Sequence, residues 1–195
     1  MKNFLQIASN VPIIPLLLAL ARADKAHGIW KEDTFLRDYP QGPFGDTESV
    51  ILRFPHRTVH ETEEALQQHI ANFDQHENVD MPAFKELAEA RPLVFNLMAF
   101  VQGERLGRVM INKLRTGGRI FPHADTPVHA KYWDRFHVCL QGAPGANIRC
   151  GEEHVHMSPG EIWWFNNEIE HEVINNSADD RIHMIIDIRT SKPLC

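Results

Sequence analysis

Cysteine is scarce in this chain. Cys139, Cys150 and Cys195 are an odd number of residues with no short spacing between them. That excludes a disulfide framework and a cysteine-rich zinc site, and it fits a reduced, cytoplasmic setting. Cys139 and Cys150 read as small apolar strand residues. Long apolar runs are also missing. The most apolar stretch, Val11 to Ala21, has 11 residues, against roughly 20 needed to span a bilayer. As a signal peptide it would have only Lys2 in its basic region, and no clean small-x-small cleavage site precedes Arg22. No membrane attachment is expected. Basic tracts are absent, and the net charge of −6 opposes non-specific binding to nucleic acid. Neither an internal repeat nor a low-complexity segment is present.

What remains is an ordinary globular composition, with 43% hydrophobic and 24% charged residues. At 195 residues the chain suits a single domain over 1–195. Its first part, to about residue 105, leans to helix. Residues 12–23 form a helix entered through prolines, 25–48 read as loop, and Ser49 to Phe54 is a short strand stopped by Pro55. Thr62 opens a further helix with Glu61, Glu63 and Glu64 near its N-terminus and Leu66, Ile70 and Phe73 on one inward face. Residues 82–90 continue as helix. Leu93 to Val101 is apolar nearly all round and fits a buried helix or a buried strand.

After Gly107 the pattern changes to short strands at 108–115, 119–125, 135–141, 147–150, 154–157, 161–166, 171–175 and 181–189, punctuated by Gly, Pro and Asn. That rhythm predicts an antiparallel double-sheet jelly roll, mainly β with flanking α-helices, its core at about 106–190 and the helices buttressing one outer face.

The chemistry-bearing residues fall in this second part. His123 and Asp125 are two apart on a strand, so they share a face. His171 opens a later strand. Two imidazoles and one carboxylate on one side of a metal form the facial triad of non-haem Fe(II) oxygenases, which leaves positions open for co-substrate and O₂. Among 12 histidines a His-x-Asp pair can arise by chance, with a surface histidine beside a solvated aspartate. The order of turn glycines, His-x-Asp, late histidine and final-strand arginine is the more specific signal. Arg181 follows His171 by ten residues and starts a strand in which Ile182, Met184, Ile186 and Ile188 alternate with Arg181, His183, Ile185 and Asp187. It is either a rim charge or a bidentate clamp for a dicarboxylate. Arg135 and His137 either hold a co-substrate oxygen or pair with Asp134 or another acid. Trp133, His129 and Lys131 lie in the loop after Asp125 and are candidates for substrate contact.

Five segments then carry a family resemblance: GGRIFPHAD (117–125), RFHVCL (135–140), RCGEE (149–153), GEIWWFNNEIEHEV (160–173) and RIHMIIDI (181–188). Over roughly 105–189 the chain resembles the aspartyl/asparaginyl β-hydroxylases, Fe(II)- and 2-oxoglutarate-dependent dioxygenases with a double-stranded β-helix core. The resemblance implies that His123, Asp125 and His171 ligate iron, and that Arg181 binds the distal carboxylate of 2-oxoglutarate. It implies that Arg135 and His137 contact the co-substrate, with Asn112 where some members use serine. Phe165-Asn166-Asn167-Glu168 replaces the family's Phe-Asp-Asp-Ser, and the loop from Asp125 to Arg135 is longer than in the best-known members.

The implied reaction consumes Fe(II)-bound 2-oxoglutarate and O₂, releases succinate and CO₂, and hydroxylates an unactivated C–H. The carbon belongs to an amino acid or to a peptidyl residue of Asp/Asn type. The absence of a peptide-binding repeat domain favours a small molecule or short peptide. A carboxylate at Asp125 favours hydroxylation over halogenation. The alternative is a cupin-type metal protein, an isomerase or small-molecule sensor, because Pro159-Gly160, Glu161 and His171 resemble the second cupin signature. A non-catalytic jelly-roll scaffold is a third class.

Overall fold

Alternation along the last strand sets the architecture. In the computed structural model, which describes residues 2–38, 42–57, 62–72 and 74–191, the elements run β1 (Phe4–Ala8), α1 (Ile14–His27), α2 (Phe35–Asp38), β2 (Thr47–Pro55), α3 (Glu63–Asn72) and β3 (Asn78–Asp80). They continue with α4 (Pro82–Glu86), α5 (Ala90–Phe100), β4 (Gly103–Leu114), β5 (Arg119–His123), α6 (Pro127–Ala130) and β6 (Asp134–Gln141). The chain closes with β7 (Ala146–Cys150), β8 (Glu153–Val155), β9 (Ile162–Phe165), β10 (His171–Asn175) and β11 (Arg181–Thr190). A seven-stranded sheet has the order β1-β9-β6-β11-β4-β2-β3, and a four-stranded sheet has the order β5-β10-β7-β8. β11 lies centrally, antiparallel to both β4 and β6.

Ile182, Met184, Ile186 and Ile188 of β11 face outward into the largest apolar cluster, against the helices. There they meet Leu16, Ala19, Leu20 and Ala23 of α1 and Ala90, Leu93, Val94 and Leu97 of α5, each set at i, i+3, i+4, i+7. Leu114, Cys139 and Phe165 of the larger sheet pack against Ile120, Ile148, Cys150 and Val173 of the smaller one. The two sheets thus close face to face as a double-stranded β-helix. The helix-to-strand ambiguity at 93–101 resolves as helix, because only a helical turn places Ala90, Leu93, Val94 and Leu97 on one buried stripe.

Other boundaries move. α1 begins at Ile14 rather than residue 12 and runs on to His27, where Gly28 in the left-handed conformation (φ 73°) caps it. The stretch expected to be loop at 25–48 holds the end of α1, a one-turn 3-10 helix at Ile29–Lys31, α2 and the start of β2. The single helix expected over 82–90 stops at Glu86. Cys139 and Cys150 are buried free thiols. Cys195, Glu61 and Phe73 lie outside the described residues, as do the side chains of Leu66 and Ile70. Among the described residues no helix is long and apolar enough to cross a membrane.

Candidate metal and co-substrate site

β5 and β10 pair so that His123 stands directly opposite His171. Asp125 follows in the connection after β5, its backbone N–H bonded to the Asn167 carbonyl at 3.2 Å. One ligand atom from each of His123, Asp125 and His171 lies within 4.8 Å of the others. The two imidazoles are held by the same local device. Nδ1 of His123 is 2.7 Å from the Phe121 carbonyl, and Nδ1 of His171 is 2.9 Å from the Ile169 carbonyl. A carbonyl only accepts, so each Nδ1 carries the proton and each Nε2 keeps its lone pair for a cation. Burial pushes His171 down to about 4, so it is neutral near pH 7. Burial by itself would raise the Asp125 carboxyl, but Arg135 and the Asn167 amide hold it below the usual carboxylate value. Asn167 Nδ2 (2.7 Å) and Arg135 Nη1 both donate to Asp125 Oδ2, which leaves Oδ1 available. Two imidazoles and one ionised carboxylate fit Fe(II).

Arg135 is an ion-pair residue. Besides Asp125 it binds Asp187, Nε to Oδ1 at 2.8 Å and Nη2 to Oδ2 at 3.1 Å. His129 Nε2 completes the cluster 3.0 Å from Asp187 Oδ2. The acid that the sequence left unnamed is thus Asp187, across the β6–β11 ladder, with Asp125. Burial would lift the Asp187 carboxyl, yet Arg135 and His129 outweigh it and hold it far below the carboxylate range. Asp187→Asn removes one of the two carboxylates that balance the buried Arg135 guanidinium. It is expected to destabilise the fold by roughly 3–5 kcal/mol in urea titrations. It is also expected to weaken metal affinity by about 10–100-fold, through loss of the support behind Asp125. Unchanged stability would remove Asp187 from this role.

This cluster corrects the expected substrate contacts. His129 is buried against Asp187, because that carboxylate draws in every donor within reach. Trp133 is 1% exposed, and its Nε1 donates to His76 Nδ1 at 3.1 Å. Lys131 is exposed but does not border the cavity at the triad. The residues of the helical turn α6 do not line that cavity.

The cavity holds about 100 Å³ between the sheets. Its wall includes the three donors, Arg135, His137, Asn112 and Arg108, with Met110, Ile120, Ile148, Phe165, Val173 and Ile185 as an apolar lining. Asn112 is buried: its Oδ1 accepts from Ser49 Oγ at 3.0 Å, while its Nδ2 has no partner. Arg181 is buried next to this wall, linked to its His137 through His183. Its Nη2 donates to His183 Nδ1 at 3.0 Å, and His183 in turn lies 3.3 Å from His137 Nδ1. Burial, reinforced by the Arg181 charge, drives both histidines well down, so they are neutral. Burial also pulls Arg181 down to about 10 and pushes the neighbouring Cys139 thiol up to about 12, so that thiol supplies no negative charge. Among the described residues no carboxylate lies within ion-pair distance of Arg181. An orphaned amide donor and an uncompensated buried guanidinium suit an anionic co-substrate. Sequence reasoning missed Asn167 and Arg108 as site residues. The first stood in plain view in the Phe-Asn-Asn-Glu segment, and the second shares the strand-face parity of Asn112.

Fold and donor set together define a 2-oxoglutarate-dependent Fe(II) oxygenase, a hydroxylase-type enzyme. The family model for aspartyl/asparaginyl beta-hydroxylase matches residues 54–191, and the chain belongs to that family. A crystal structure of a Pseudomonas putida prolyl-4-hydroxylase is similar, with TM-score 0.51 and 16% identity over 98% of this chain and 95% of that one. The 2OG complex of the viral collagen prolyl hydroxylase from Paramecium Bursaria Chlorella virus-1 is similar too, with TM-score 0.52 and 11% identity over 97% of each chain. At such identities the likeness concerns the fold. No curated protein matches the chain closely enough to count as a relative.

Proposed function

We propose that the protein hydroxylates an unactivated C–H of an amino acid, or of an Asp/Asn-type residue in a short peptide, using His123, Asp125 and His171 to hold Fe(II). The observation that carries this is the convergence of three ligand atoms within 4.8 Å beside a donor that has no partner. When bound, the iron and 2-oxoglutarate supply an oxidant able to take a hydrogen from carbon, with succinate and CO₂ as co-products. The chain's part is orientation and dryness. The Phe121 and Ile169 carbonyls fix both imidazoles, and Arg135 and Asn167 turn Asp125 so that one oxygen faces the metal position. Arg181 receives the distal carboxylate of 2-oxoglutarate, with Asn112 Nδ2 donating and His137 bordering it. Met110, Ile148, Phe165 and Val173 exclude water around the bound acid. Asp125 occupies a coordination position that a halogenating site would leave open, so hydroxylation is the outcome. Buried free thiols fit a reducing cytoplasm.

The test is succinate release from 2-oxoglutarate under Fe(II) and air, measured beside thermal stability. Metal and 2-oxoglutarate are each expected to stabilise the fold. Stabilisation by metal alone would favour the cupin-type reading, and stabilisation by neither would favour a scaffold.

A further inference from the structure

The inner face of β4 presents Leu114, Asn112, Met110 and Arg108 in turn along the space between the sheets. Register ties one end of this row to Arg181, which pairs with Leu114, while His183 pairs with Asn112 and Ile185 with Met110. Arg108 is the far end, four residues from Asn112, or about 13 Å along a strand. At that end Phe54, Leu36 and Arg108 itself border the cavity, and Leu36 and Arg108 are only half-buried. The deep end is closed by buried Asn112, Ile148 and Phe165.

Arg108 differs in its pairing from the other arginines near this opening. Arg135 is bound to Asp125 and Asp187, Arg53 to Asp80 and Arg57 to Asp33. Arg108 has no carboxylate within ion-pair distance among the described residues, and its Nε is buried without a partner. Its guanidinium carbon lies 4.9 Å from the Phe54 ring centroid, a cation–π contact that restrains the side chain.

We propose that Arg108 is a specificity-determining residue that receives a carboxylate of the primary substrate at the open end of the cavity. The inference rests on the dioxygenase reading above, in which Asn112 and Arg181 take the co-substrate at the other end. A guanidinium without an acid of its own within ion-pair distance can match one carboxylate bidentately. A phosphate would call for further cations, and the other guanidinium on this wall, Arg135, is already paired with Asp125 and Asp187. The carboxylate has two sources, the side chain of a peptidyl aspartate or a free amino acid, and the test separates them.

The probes are free L-aspartate and L-glutamate, N-acetylated aspartyl peptide amides, and the carboxamide counterpart of each. The wild-type enzyme with Fe(II) and 2-oxoglutarate is assayed for succinate released above the substrate-free rate, and binding is followed by ligand-observed NMR with Zn(II) in place of iron. At least one carboxylate probe is expected to bind about tenfold or more tightly than its carboxamide, the scale of a charge-assisted pair. Arg108→Gln is expected to bring that ratio to about one through KM rather than kcat, while Arg108→Lys retains part of it. With the thermal stability of both variants measured alongside, the difference between Lys and Gln reads the charge. Free amino acids favoured over peptides assign the carboxylate to a free substrate, and the reverse assigns it to a side chain. The proposal is overturned if the carboxamides bind as well as the acids, if no carboxylate probe binds, or if Arg108→Gln keeps the preference. Absence of any succinate from the wild type under all conditions would instead sink the dioxygenase reading itself.

Discussion

His171→Ala is expected to abolish Fe(II)-dependent release of succinate and to lower metal affinity by more than about a hundredfold. The bound follows from the supporting groups, whose loss alone typically costs 10–100-fold. His171 opens β10 opposite His123, and its Nδ1 is already committed to the Ile169 carbonyl. The buried imidazoles nearby are committed elsewhere, because His137 and His183 are bonded to each other 3.3 Å apart and His129 is held by Asp187. Removal of the ring leaves one imidazole and one carboxylate, too few to hold a divalent ion against water. His154, which is exposed on β8, is the control: His154→Ala should bind Fe(II) as the wild type does. Calorimetric or spectroscopic titration with Co(II) or Fe(II) reads the affinity directly. Wild-type-like binding by His171→Ala would end the assignment of the triad.

The second half of the chain was legible because a strand writes its two environments in alternate residues. In β11 the odd set, Arg181, His183, Ile185 and Asp187, turned inward, and the even set met the helices. β1 and β3 were not legible. Each is a strand because of a distant partner, β1 pairing with β9 and β3 with β2. The candidate donors that the fold brings together could be read because their spacing is local, two residues apart in one case and a strand start in the other. Partnerships are not local. Arg135 finds Asp187 52 residues away, and nothing near Arg135 in sequence indicates that acid over Asp134. Asp134 instead accepts from Trp164 Nε1 at 3.0 Å. The same blindness produced the error over His129 and Trp133. Both follow Asp125 closely, so they looked like rim residues, but a buried carboxylate and the His76 ring draw them inward. Arg108 escaped notice because an arginine in a strand is usually a rim charge, and only the absence of an acid beside it sets it apart.

Arg181→Met should leave the apo protein at least as stable as the wild type while removing its response to 2-oxoglutarate. The guanidinium is 3% exposed and bonded to a neutral imidazole. A charge left in that position without a counter-ion costs free energy that an apolar side chain of similar length does not. An arriving carboxylate reverses the balance, because the pair then forms where water does not screen it. Loss of one partner from such a pair costs ~2–5 kcal/mol of affinity, equal to roughly thirtyfold to several thousandfold in Kd. In the wild type, 2-oxoglutarate at a hundred times its Kd adds about 2.7 kcal/mol of stability. For a chain of this length that raises Tm by about 5–10 °C. The variant should show a rise near zero at the same concentration, with Zn(II) held constant to separate co-substrate from metal. Arg181→Lys should fall between, since an ammonium keeps the charge and gives up the fork. The opposite pattern, an apo protein weakened by methionine with an undiminished rise on adding 2-oxoglutarate, would make Arg181 a structural donor to His183. The distal carboxylate would then have to be held from the cavity wall itself, where Asn112 is the donor without a partner.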